Sequence, residues 1–140
     1  MNSNFSGTWK ADLEKSRFLS PLPNGVVIRI DHADNHLREE IIVTKNDGLE
    51  ERTVFTCDTS GNEGGSTLNG KAIRGKSHWV GSELVIESWM QFGDRELYFR
   101  DCWSLRDEGQ TLIMEHRHDA LAGQLTVLRR IEQATEHTHV

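Results

Sequence analysis

Four charged or titratable side chains interrupt rows that are otherwise apolar at every second residue. Glu39 lies between Leu37 and Ile41, Asp101 between Phe99 and Trp103, His116 after Leu112 and Met114, and Arg129 between Val127 and Ile131. If those rows face the inside of a β-structure, the interior holds two carboxyls, an imidazole and a guanidinium. Isolated charges are too costly there, so they pair with one another, with water or with a ligand. The chemistry this offers is a polar anchor for the head group of an amphipathic molecule. The competing reading is an internal salt-bridge network, or a register that turns some of these residues to solvent.

Other candidate chemistry is weaker. His116-x-His118 puts two imidazoles on one strand face, and His32, His36, His78, His137 and His139 bring the total to seven. A metal needs a third fixed ligand, and no spacing selects one, so no metal site is expected. Cys57 and Cys102 stand beside no Cys-His-Asn arrangement and read as free, largely buried thiols. There is no serine nucleophile elbow, no phosphate-cradling glycine loop and no His-Glu-x-x-His, and no cofactor is expected. Trp79, Trp89 and Trp103 read as core or wall residues. Facing an interior cavity, they would favour a flat or aromatic ligand.

The elements that position these residues follow from turn spacing. Asn, Asp and Gly gather at Pro23-Asn24-Gly25, Asp34-Asn35, Asn46-Asp47-Gly48, residues 60–65, Asn69-Gly70, Gly81-Ser82, Gly93-Asp94, Asp107-Glu108-Gly109 and Ala122-Gly123. These residues tolerate the positive φ that hairpins demand. Between them run segments of about eight to twelve residues, the spacing of a sandwich or barrel. The segments alternate with a period of two: Val26, Ile28 and Ile30 oppose Arg29 and Asp31, and Leu97, Phe99, Trp103 and Leu105 oppose Arg100. Residues 12–17 have the composition for one helical turn, and 132–140 reads as a frayed tail. Eight to ten short antiparallel strands manage their edges best by closing on themselves, which predicts an all-β, closed up-and-down barrel.

Length and charge limit the function classes. At 140 residues and 16.0 kDa the chain suits a single domain spanning 1–140. Sixteen Lys and Arg against 22 Asp and Glu give a net charge of −6, with no basic footprint for nucleic acid or an anionic membrane. No apolar run approaches the ~20 residues of a membrane span, and Met1 to Trp9 carries no signal pattern. A cytoplasmic location is expected.

The opening Phe5-Ser6-Gly7-Thr8-Trp9-Lys10 resembles the first strand of the calycin superfamily, the lipocalins and fatty-acid-binding proteins, which open with Gly-x-Trp. That resemblance implies that Gly7 permits a bend or close backbone approach and that Trp9 plugs one barrel end. It also implies an Arg from the last strand lying across the Trp, a role expected of Arg129, with Arg130 pointing outward. Fatty-acid-binding proteins close with an Arg and, two residues on, a Tyr that hold the ligand carboxylate. Arg129 matches that Arg, but Ile131 stands where the Tyr would be. Only residues 11–24 are available for the helical lid of that family, so the lid is shortened or absent. Small bacterial lipocalin-like proteins show a similar pattern. The expected function is to bind a small hydrophobic or amphipathic molecule inside the barrel, with Arg129, Asp101, His116, Glu39, Phe99 and Trp103 as ligand contacts. The alternatives are a barrel enzyme using Asp101, His116 and Glu39 as acid and base, or a filled barrel serving as a structural or interaction module.

Overall fold

The computed structural model describes residues 4–19, 21–118 and 123–131; the tail from Glu132 to Val140, with His137 and His139, and Ala122 lie outside the described residues. Among the described residues ten strands run in order: β1 (Gly7–Ala11), β2 (Gly25–Ala33), β3 (His36–Thr44), β4 (Glu50–Asp58), β5 (Ser66–Leu68), β6 (Lys71–Val80), β7 (Glu83–Phe92), β8 (Arg95–Arg106), β9 (Thr111–His118) and β10 (Gln124–Arg130). Each pairs antiparallel with the next, and β1 pairs with both β2 and β10, so the sheet closes into a barrel without a free edge. Turn chemistry sets the meander. Asn69 and Gly70, both at positive φ (50° and 84°), join β5 to β6 as a type I′ turn requires.

The only helix among the described residues is a 3-10 turn at Asp107–Gly109. The helical turn expected over residues 12–17 is instead a strap that continues from β1 along β10. Asp12 donates its backbone N–H to the Val127 carbonyl at 2.7 Å, Arg17 and Leu125 exchange both backbone bonds, and the Ser16 hydroxyl accepts from the Val127 N–H at 2.9 Å. Backbone bonding to a strand edge outweighs the modest propensity of so short a segment. Nothing helical covers the barrel mouth from this stretch.

One end of the barrel is filled. Phe5, Trp9, Leu37, Cys57, Leu84, Leu112 and Leu128 have no solvent exposure there. Phe5 stacks on Trp79 and meets Trp103 edge-on, with centroids 5.9 and 5.6 Å apart. Trp9 donates its indole N–H to the Phe5 carbonyl at 3.0 Å. Above its ring, 4.3 Å from the centroid, lies the guanidinium of Arg130. Arg130 also donates to the Ser6 carbonyl (2.8 Å) and the Gly109 carbonyl (3.1 Å), so burial leaves its charge well satisfied. Gly7, at φ 142°, passes beneath it, and a Cβ there would come within 2.5 Å of Arg130 Nη1. Glycine is needed for both reasons.

Arg129 is the correction. The inward row of β10 is Gln124, Thr126, Leu128 and Arg130, while Arg129 points outward with a 58% exposed side chain and meets Asp12 at 3.5 Å. The expected register is off by one residue. Its cause is that β10 carries apolar residues on both faces: Val127, only 9% exposed, lies outward opposite Ile113 and beside the strap. A slip of one residue exchanges faces, and here the more apolar row, with Leu125 and Val127, is the outward one because the strap lies along it.

Candidate ligand cavity

Beyond the plug the barrel is open inside. A cavity of about 430 Å³ is walled by Val26, Ile28, Ile41, Val43, Phe55, Leu68, Ile73, Ile86, Met90, Phe99, Trp103 and Met114, with Phe18 contributed by the segment after the strap. That volume is within the range of small-molecule sites, and so is the predominance of apolar wall. The polar wall residues are Glu39, Asp101, His116, Thr53, Ser88, Gln124 and Thr126.

Strand register brings the titratable ones together. Asp101 on β8 is directly opposite His116 on β9, and their side chains meet at 2.7 Å between Oδ1 and Nδ1. Phe99 stacks against both His116 and His118, with centroids 5.5 and 4.7 Å apart, and so holds the imidazole plane. The hydrogen bond to Asp101 raises His116 above the ordinary histidine value against the opposing effect of burial. Glu39 projects from β3 between Leu37 and Ile41 and is only 6% exposed. Its carboxyl forms no hydrogen bond or ion pair with any described residue. Burial, and secondarily the charge of Asp101, push it up to about 8, so it is mainly protonated at neutral pH. Below it on the neighbouring strand, the Cys57 thiol is pushed up to about 11, chiefly by burial, and stays neutral.

Of the residues singled out in the sequence, Glu39, Asp101, His116, Phe99 and Trp103 lie on the cavity wall and Arg129 does not. Trp79 belongs to the plug. Trp89 is on the outer surface, beneath the Arg74 guanidinium at 4.4 Å and beside Tyr98. Gln124 and Thr126 were missed because the wrong row of β10 was turned inward. Phe18 lies in an irregular segment, where no periodicity could have pointed to it. Neither cysteine is in a disulfide, and Cys102 faces outward, its thiol 3.2 Å from Glu83. Among the described residues no group of three His, Cys, Asp or Glu side chains is placed to hold a metal ion.

No family model matches the sequence, and no curated protein is similar enough to count as a relative. Solved structures do match. A point mutant of the fluorescent protein UnaG superposes with a TM-score of 0.62 over 92% of this chain and 97% of that one, at 16% sequence identity. Together with the closed ten-strand meander, this likeness makes the fold calycin-like.

Proposed function

We propose that the protein is a single-domain, cytoplasmic binding protein for a small hydrophobic or amphipathic molecule, lipids among them, held inside the barrel. The observation that carries this reading is the mainly apolar cavity of about 430 Å³ inside the barrel, with Glu39, Asp101 and His116 on its wall. The apolar body of the ligand packs on Ile28, Ile86, Phe99 and Met114, and its polar end reaches Glu39, Asp101 and His116. A filled barrel acting only as a structural module needs a packed interior, and this one is open. The free thiols suit a reducing compartment.

Titration with the neutral fluorophore N-phenyl-1-naphthylamine tests the reading. Saturable binding, a raised unfolding midpoint and loss of both in Ser88→Trp, which fills the cavity, are the expected results. Absence of saturable binding, or equal binding by the filled variant, overturns it. The Asp101–His116 pair also favours a second reading, acid–base catalysis on the bound molecule. Chemical change of a ligand retained from the native host, lost in His116→Asn, is its signature.

A further inference from the structure

The cavity wall holds one carboxyl more than it has basic groups to match. Among the described residues, it holds two carboxyls, Glu39 and Asp101, against one imidazole, His116, and no Lys or Arg. The two arginines at the end of β10 are both committed elsewhere: Arg130 lies on Trp9 in the plug and Arg129 is outside on Asp12. Asp101 is matched by His116 at 2.7 Å, which leaves the Glu39 carboxyl more than nine-tenths buried, directed into the cavity and without a partner among the described residues. A buried carboxyl in that position avoids an unpaired charge by keeping its proton or by receiving a cation from outside the chain.

On the basis of the binding function proposed above, we infer that the natural ligand is a cationic amphiphile, an apolar body carrying a protonated amine or amidine that pairs with the Glu39 carboxylate. The groups facing Glu39 are Asp101 on β8, His116 on β9 and the Cys57 thiol on β4. None supplies a free cation, since the charge of His116 is matched by Asp101 and the thiol is neutral. A carboxylate ligand would meet two acids and no arginine, the reverse of what an acid-binding site provides. A neutral alcohol or amide would hydrogen-bond to protonated Glu39 without pairing its carboxylate. An ammonium group replaces the proton of Glu39: the O–H bond of the carboxylic acid breaks, the proton passes to solvent, and the ion pair forms with overall charge conserved. Protonated Glu39 in the empty barrel is therefore the resting form of a cation site, in keeping with its raised proton affinity.

Matched probes separate this inference from the binding reading. Decylamine, decanol and decanoate are competed against N-phenyl-1-naphthylamine at about pH 7, with wild type and Glu39→Gln. The amine is expected to bind about tenfold more tightly than the alcohol and the carboxylate more weakly than either, with the amine's advantage over the alcohol lost in Glu39→Gln. Calorimetry on the wild type in buffers of different ionisation enthalpy gives a second measure that needs no variant. Amine binding should release about nine-tenths of a proton near pH 7 and almost none near pH 9.5, as follows from a free-state value of about 8. If the alcohol equals the amine, if decanoate binds best, or if amine binding releases no proton, the cation site is wrong while the binding function stands. If none of the probes, nor the fluorophore, binds, the binding function itself fails and the inference with it.

Discussion

Glu39 should make this protein less stable as pH rises through the neutral range, and Glu39→Gln should remove that loss. The folded carboxyl holds its proton up to about 8, against an ordinary value of 4.5 for the unfolded chain. Between those values the folded state binds one proton that the unfolded state has released. Unfolding free energy then falls by about 1.4 kcal/mol per pH unit. Below 4.5 both states are protonated and above about 8 both are ionised, so the slope vanishes outside the window. From about pH 5.5 to about pH 8 the integral is about 3 kcal/mol, a sizeable part of the stability of a domain this size. His116, raised by Asp101, adds a loss of the same sign, while His32, lowered by burial, opposes it. Both groups are common to wild type and variant and cancel in the comparison. Urea unfolding of the two proteins at the two pH values, with equal m-values as the check on two-state behaviour, measures the difference. Glu39→Gln should gain on wild type by about 3 kcal/mol across the interval. A difference that stays constant with pH would refute the reasoning, because it would mean that Glu39 ionises freely in the folded barrel.

Three further outcomes are expected. Arg130→Met should cost about 2–3 kcal/mol, through loss of the contact with Trp9 and two carbonyl hydrogen bonds, whereas Arg129→Met should cost less than about 0.5 kcal/mol; thermal unfolding of the pair reverses that order if the register of β10 is wrong. Gly7→Ala should lose about 2–3 kcal/mol, because its φ of 142° and the nearby Arg130 Nη1 leave no place for a Cβ; a near-neutral result would show that Arg130 yields easily. Asp101→Asn should lower the titration midpoint of His116, followed by its ring-proton shifts in NMR, and an unchanged midpoint would mean that the 2.7 Å contact does not form in solution.

Much of the barrel could be read from the chain because its causes are local. Positive-φ turn residues at regular intervals and period-two rows such as Val26-Ile28-Ile30 are properties of a few consecutive residues, and they specify short antiparallel strands whatever surrounds them. The same alternation identified Glu39, Asp101 and His116 as polar breaks in apolar rows, and the closed sheet puts all three on one cavity wall. That the Asp101 and His116 side chains bond is a matter of pairing register between β8 and β9, which is not encoded in any one segment. The face of β10 was undetermined for a related reason. Leu125 and Val127 make their row the more apolar, yet the strap lies along it outside the barrel, and the choice between Arg129 and Arg130 falls to the pairings Trp9↔Arg130 and Leu128↔Leu112. Local sequence determined the strands and the turns; sheet closure, by pairing residues 121 positions apart at Trp9 and Arg130, decided which charge sits inside and which outside.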